Sequence, residues 1–166
     1  MNDEEVQCVL RARGGDREAF GRLVEIHWSR LVRLARSMVG EGTAEDRVQE
    51  GLVTGWERLQ RLSRPEAFGA WITRIVYRRC LRGGRKLFHD LSVDDVPQPE
   101  APGSAEGDLW VREVLAALAP RQRAVLHLTV VEGCTDAEIS KLLGIAAASV
   151  RAHRRRARER IGRLST

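Results

Sequence analysis

Thr135-Asp136-Ala137-Glu138-Ile139-Ser140-Lys141-Leu142-Leu143-Gly144-Ile145 is the stretch on which the fold turns. Threonine followed three residues later by glutamate is a capping box, which predicts a helix starting after Thr135. Ile139, Leu142 and Leu143 supply its apolar stripe, and Gly144 permits the positive φ of a tight turn. A second helix is predicted with Val150, Ala157 and Ile161 inward, leaving Ser149, Arg151, His153, Arg155, Arg156 and Arg158 outward. Ile139, Ile145 and Val150 pin the two helices together, as in a helix-turn-helix. In that motif the start of the second helix reaches base edges, while arginines further along grip phosphates. A plain helical hairpin has a similar outline; the capped first helix, the placed glycine and the basic second helix together favour DNA binding.

Upstream, Leu109–Leu118 and Pro120–Val131 read as two further helices parted by Ala119-Pro120. Before them helical periodicity disappears over residues 87–108, which hold Pro97, Pro99, Pro102, Gly103 and Ser104 and read as a linker. The chain is thereby predicted to be all-α, with two small helical domains, 1–86 and 109–166, joined by an acidic linker over 87–108.

In the first half, Asp16 is a suitable N-cap for a helix carrying Phe20, Leu23, Val24, Leu31, Leu34, Ala35 and Met38, which stops at Gly40. A second helix is predicted from Thr43 through Val48, Leu52 and Trp56 to about Leu62. Ser63-Arg64-Pro65-Glu66 has capping-box spacing and announces a third, containing Phe68, Trp71, Ile72, Ile75 and Val76. At 100° per residue, Arg74, Arg78, Arg82 and Arg85 share an arc bordered by Trp71. Such a row can hold a phosphate backbone and offer a stacking surface to an unpaired base. Core packing explains Trp71 equally well.

The 166 residues hold 28 Lys+Arg against 23 Asp+Glu, and 26 of the basic residues are arginine. Arginine suits bidentate contacts to phosphate and guanine, although such a bias also arises from genomic composition. The distribution is more informative than the total. Residues 1–73 carry 11 basic and 12 acidic side chains, residues 74–86 six basic and no acidic ones, and residues 87–108 six acids and no Lys or Arg. Residues 109–149 balance four against four, and residues 150–166 hold seven arginines against Glu159. Two separate anion-binding surfaces with an acidic run between them follow from this pattern.

No apolar run approaches the roughly 20 residues that a bilayer requires, and the acidic opening Met1–Glu5 lacks the features of a secretory signal, so a cytoplasmic location without membrane insertion is expected. Cys8, Cys80 and Cys134 fit neither a disulfide framework nor paired metal ligands. His27, His89, His127 and His153 form no ligand cluster with them, and neither metal nor cofactor is expected. Glu45-Asp46, placed in the first turn of a helix, suits the helix dipole better than acid/base catalysis, and no enzyme is expected.

Several of these stretches together resemble bacterial sigma factors of the sigma-70 family, specifically the extracytoplasmic-function class. Gly15-Asp16-Arg17-Glu18-Ala19-Phe20-Gly21-Arg22-Leu23-Val24 is similar to the start of sigma region two, Ala44-Glu45-Asp46-Arg47-Val48-Gln49-Glu50 with Trp56 to its polymerase-binding helix, and Phe68-Gly69-Ala70-Trp71-Ile72-Thr73-Arg74-Ile75 to its promoter-melting helix. Leu118-Ala119-Pro120-Arg121-Gln122-Arg123-Ala124-Val125-Leu126-His127-Leu128, then Val131-Glu132-Gly133, Glu138-Ile139 and Leu143-Gly144-Ile145, resemble region four. The resemblance covers nearly the whole chain.

It implies a factor that binds core RNA polymerase, through the β′ clamp helices and the β flap, and directs initiation at promoter DNA. Asp46, Gln49 and Glu50 would meet the clamp helices. Trp71, Arg74, Arg78, Arg82, Arg85 and Lys86 would open and hold the −10 element, and Thr135, Ser149, Arg151, Ala152, Arg155 and Arg156 would read the −35 duplex. The acidic linker would thread the polymerase channel, and an anti-sigma factor is a further implied partner. Arg78, Arg82 and Gly83-Gly84 depart from the family pattern in the melting helix, as do Ala148-Ser149 and Arg154 in region four. Two glycines in succession, each costing about 1 kcal/mol, predict that the melting helix ends or frays before Arg85-Lys86. Arg154, at a usual leucine position, is expected to snorkel out of the core. The alternatives are a helix-turn-helix regulator acting without polymerase, and an interaction protein of sigma shape that has lost promoter opening.

Overall fold

The computed structural model describes residues 3–87 and 114–164, with backbone alone over residues 83–87. The linker expected over 87–108 lies outside the described residues apart from Leu87, as does the 109–113 portion of the helix expected there; residues 114–117 are helical. All regular structure among the described residues is helical: α1 (Asp3–Arg13), α2 (Arg17–Val39), α3 (Glu41–Arg58), α4 (Phe68–Leu87), α5 (Pro120–Val130), α6 (Asp136–Leu143) and α7 (Ala147–Leu164). Short 3-10 turns at Leu59–Arg61 and Pro65–Ala67 join α3 to α4.

Helix α1 has no counterpart in the sequence reading. Its signal is the spacing of Glu5, Cys8, Val9 and Ala12, all buried, with one polar member that disguises the apolar face. Glu5 is tolerated there because its carboxylate lies 2.8 Å from His27 Nε2 on α2. Asp16 caps α2 as expected, accepting from Ala19 N at 3.0 Å. Gly40 ends the helix at φ 83°, donating its N–H to the Arg36 carbonyl, and α3 begins directly after it. The expected start at Thr43 is therefore too late. Its hydroxyl donates back to the Val39 carbonyl at 3.1 Å inside the first turn instead of capping, and the α-helix also stops earlier than expected, at Arg58.

The Ser63–Glu66 capping box does not form. Proline at 65 forces Arg64 into extended backbone (φ −120°, ψ 109°), which moves the cap position to Arg64 and leaves Ser63 outside the helix. Helix α4 runs through Gly83-Gly84 to Leu87, so the expected early end is not seen. By that point the helix is already nucleated, and each further turn adds hydrogen bonds against the glycine cost.

Helices α2, α3 and α4 enclose Leu23, Leu31, Leu34, Met38, Val48, Phe68, Ile72 and Val76. Each such side chain contributes about 1.5–3 kcal/mol by leaving water. Phe20 meets Trp56 edge-on at 5.1 Å and Phe68 at 6.4 Å, closing one end of the bundle. Two glycines one helical turn apart lie at the α3–α4 crossing, and the close backbone approach is at Gly51. A Cβ at Gly51 would lie 2.7 Å from Val76 Cγ2 and 3.3 Å from Val76 Cα, and one at Gly55 would lie 2.5 Å from Ile72 Cδ1.

The second half folds α5, α6 and α7 around Val125, Leu128, Ile139, Leu143 and Val150. Pro120 opens α5, and Gln122 Oε1 accepts from Ala119 N at 2.9 Å. The buried residues of both halves belong to one continuous cluster, because α5 packs on α2 and α6 packs on α4.

Candidate nucleic-acid and partner interfaces

The helix-turn-helix is built as its residues require. Thr135 Oγ1 accepts from Glu138 N at 3.3 Å, and Glu138 Oε2 accepts from Thr135 N at 2.8 Å, so both arms of the capping box are made. These hydrogen bonds hold the Glu138 carboxyl below the usual carboxylate range. Gly144 closes α6 in the left-handed conformation (φ 66°, ψ 42°), and Ile139 and Val150 are fully buried between the helices. Arg154 does not snorkel into solvent as expected. It forms a two-pronged ion pair with Asp136, with Nη2 3.1 Å from Oδ2, and so ties α7 to the first turn of α6. A leucine at that position would meet α6 by packing alone; the carboxylate at 136 is the signal that reveals the different solution.

Arg151, Arg155 and Arg156 are exposed along α7, with Ser149 and Ala152 half-buried beside them and Thr135 exposed at the start of α6. Arg155 Nε lies 3.7 Å from Glu159 Oε1, both largely exposed, a pairing weak enough for a phosphate to displace. Ser149, Arg151, Ala152, Arg155 and Arg156 share the side of α7 opposite the buried Val150 and Ala157, while the Thr135 hydroxyl is engaged by Glu138.

The arginine row of α4 is less uniform. Arg78 and Arg82 are exposed, whereas the side chains of Arg85 and Lys86 lie outside the described residues. Arg74 is engaged: Nη2 donates to the Lys141 carbonyl in the last turn of α6 at 2.6 Å. Trp71 is partly buried against the core, 6.0 Å from Phe68, and keeps one edge at the surface. Arg79 donates to the buried Thr54 hydroxyl at 2.6 Å and bonds α4 to α3.

On α3, Asp46, Gln49 and Glu50 are exposed on one face with Val53, an apolar side chain 59% exposed. Because α3 starts at Glu41, Glu45 and Asp46 lie beyond the first turn and, contrary to expectation, outside the reach of the helix dipole. Glu45 pairs with Arg36 at 3.3 Å, and Glu50 with Arg47 at 3.0 Å.

A further cluster lies where the two halves meet. Glu132, after α5, pairs with Arg30 Nε at 3.3 Å and Arg33 Nη2 at 3.0 Å, both on α2. His127 lies beside them with its Nε2 3.8 Å from Glu132 and its side chain only 10% exposed. Only chain folding joins these residues, and nothing in their local spacing announces it.

Burial holds the His127 imidazole below its ordinary value of 6.5, Arg33 and Arg30 push the same way, and Glu132 opposes them. The unfolded chain therefore takes up this proton first as the pH falls. Stability tied to neutral His127 is complete above about pH 6.5 and is lost as the pH drops through the lower folded value. Denaturant midpoints measured at about pH 7.5 and about pH 5.5 are expected to fall more for the native sequence than for His127→Gln; equal falls would remove this assignment.

Among the described residues, no group of three or more His, Cys, Asp and Glu is placed to hold a metal ion, and no helix is long and apolar enough to cross a membrane. The model of Sigma-70 region 2 matches residues 23–87 and that of Sigma-70, region 4 matches residues 108–161. RNA polymerase sigma factor NccH of Alcaligenes xylosoxydans xylosoxydans is 33% identical, covering 99% of this chain and 97% of its own. ECF RNA polymerase sigma factor SigM of Mycobacterium tuberculosis is 32% identical over 90% of this chain and 79% of its own. The solved structure of CnrH in complex with the cytosolic domain of CnrY superposes with a TM-score of 0.71 at 28% identity, covering 98% of this chain and 97% of that one.

Proposed function

Because the chain belongs to the sigma-70 family of RNA polymerase sigma factors, in its extracytoplasmic-function class, we propose that it binds core RNA polymerase and directs initiation by reading a −35 duplex with α7 and opening the −10 element with α4. In this reading residues 1–86 act as region two, 87–108 as an acidic connector and 109–166 as region four. The outward face of α3, with Asp46, Gln49 and Glu50, docks on the polymerase β′ clamp helices. Trp71, Arg74, Arg78 and Arg82, continued by Arg85 and Lys86, hold the opened strand. Bond formation belongs to the polymerase; this chain supplies recognition and strand capture. Duplex opening then trades stacking, about 1.4 kcal/mol per step, for contacts to unpaired bases.

The observation that carries the reading is the helix-turn-helix, with α6 capped at both ends and an exposed arginine face on α7 held by nothing stronger than the loose Arg155–Glu159 pair. Thr135, Ser149, Arg151 and Ala152 stand at the base-reading end, with Arg155 and Arg156 along the phosphates. An anti-sigma factor is the partner class we add, supported by the similarity to CnrH, which was solved with the cytosolic domain of another protein.

Transcription in vitro with core polymerase and a promoter library tests the whole. Promoter-dependent transcripts are expected, and tight core binding without them would favour an interaction protein that has lost promoter opening. On the duplex side, Arg155→Ala is expected to weaken −35 binding and to reduce the slope of log K against log salt by about 0.9, the share of one phosphate. An unchanged slope would remove the phosphate role of Arg155.

A further inference from the structure

Arg154 stands at a usual leucine position, and the duplex-facing reading of α7 assigns it no task. It follows Val150 by four residues and precedes Ala157 by three, so it sits at the edge of the inward stripe that these two fully buried residues form. From there its side chain turns to the first turn of α6, where both prongs of the guanidinium meet the Asp136 carboxylate, Nη2 at 3.1 Å from Oδ2. The two side chains are 26% and 24% exposed, which shields the pair from water better than the Arg155–Glu159 contact on the same helix.

Contacts at increasing distance from the turn fix α7 on α6. At the turn itself, Ser140 Oγ donates to the Ile145 carbonyl at 2.7 Å. Ile139 and Val150 follow, fully buried. The Asp136–Arg154 pair comes last and joins the start of α6 to the part of α7 just beyond Ser149, Arg151 and Ala152. An apolar contact locates a helix without fixing its roll, because burial of apolar surface has no direction. A two-pronged ion pair holds a planar guanidinium against a carboxylate and fixes the helix that carries it.

The surrounding charges suit the same arrangement. Arg154 has Arg151 and Arg158 as neighbours three and four residues away on α7, a crowding of like charge that Asp136 offsets. Asp136 directly follows Thr135, at the end of α6 read as duplex-facing, where an uncompensated carboxylate would repel phosphate.

We propose that Asp136 and Arg154 are a positioning pair that sets the pose of α7 in the major groove, and with it the duplex sequence this chain prefers, without touching DNA. The proposal rests on the reading of α7 as the −35 reader. Contacts to base edges require placement within about 0.5 Å, whereas flexible arginines follow a phosphate through a small shift. The pair therefore governs preference and leaves overall grip on DNA unchanged.

Duplex binding by the full chain, without polymerase, tests the pair. The probes are the duplex that the native chain selects from a randomised library and a scrambled duplex of the same base composition. Arg154→Lys keeps the charge but offers a point donor in place of the fork. Asp136→Leu combined with Arg154→Leu removes both charges and sets apolar packing between the same two helices, an exchange that leaves stability near native or above it. In each variant, affinity for the scrambled duplex is expected to stay within about twofold of native, while the ratio of selected to scrambled affinity falls about tenfold, the share of one base contact. A purely structural role predicts the reverse, a changed thermal stability with the ratio intact. A native ratio in either variant at native helix content, or a fall in both affinities by the same factor, overturns the positioning role. Selection of no preferred duplex by the native chain overturns it as well. Failure of the sigma-factor reading appears instead in polymerase-dependent transcription by the native chain, which these duplexes do not involve.

Discussion

Gly51→Leu is expected to be the most damaging single change in the first half, destabilising the protein by about 3 kcal/mol or more. Total stability for a chain of this kind is about 5–15 kcal/mol, so such a loss leaves a substantial unfolded fraction. The reason is backbone proximity: even a methyl at 51 would face Val76 Cα at 3.3 Å and Cγ2 at 2.7 Å, and helix α4 would have to retreat from α3. Retreat would open gaps around Val48, Ile72 and Val76, all fully buried, and would lengthen the Arg79–Thr54 hydrogen bond. Gly55 provides the control. Its added methyl would meet the tip of Ile72, which can rotate, and alanine gains about 1 kcal/mol of helix propensity over glycine, so Gly55→Ala is expected to be near neutral. Denaturant unfolding of both variants measures the contrast, and a Gly51→Leu protein within about 1 kcal/mol of native would refute close α3–α4 approach as the reason for that glycine.

Local signals account for much of the fold. Asp16 before an apolar stripe, Thr135 with Glu138, and Gly144 after Leu143 each encode a helix boundary through hydrogen bonds a few residues long, and the chain folds as those residues require. The misplaced boundaries have equally local causes. At Ser63 two rules competed, and the restriction that Pro65 places on Arg64 outweighed the capping box. At Thr43 a good capping residue stood too close behind Gly40 to be needed. Helix α1 was hidden because a buried glutamate breaks its apolar pattern, and its partner, His27, is 22 residues away.

The candidate surfaces were legible to the extent that exposure follows helical phase. Arg78, Arg82, Arg151, Arg155 and Arg156 point outward because their neighbours Ile72, Val76, Val150 and Ala157 point inward. Arg74 and Arg154 show where this stops. Both occupy positions consistent with a DNA-facing or solvated role, yet each is engaged by a group far along the chain, Lys141 in one case and Asp136 in the other. A guanidinium takes whichever acceptor folding brings within reach, and that choice is tertiary. The glycine at 51 carries the same lesson, since the Val76 backbone and side chain that its Cβ would meet are supplied by another helix.

Reversing the outward face of α3 with Asp46→Arg and Val53→Arg is expected to lower affinity for core polymerase at least about 100-fold, or about 2.7 kcal/mol, while leaving thermal stability almost unchanged. Both halves of that expectation come from the same geometry. Asp46, Gln49, Glu50 and Val53 recur at helical spacing and are all exposed, and Val53 is apolar at 59% exposure. No buried neighbour depends on them, and the Arg47–Glu50 pair is untouched by the change, so folding has little to lose. A carboxylate beside an exposed apolar side chain is instead suited to a partner surface offering basic and apolar groups together. Two arginines there would meet that surface with the wrong charge and would bury it at the cost of desolvation. If the face were merely solvated, binding to core would be indifferent to both substitutions. Competition for core polymerase by the full chain separates the two cases, with duplex binding through α7 as the control for intact folding. Native competition by the double variant would remove α3 as the polymerase-docking surface.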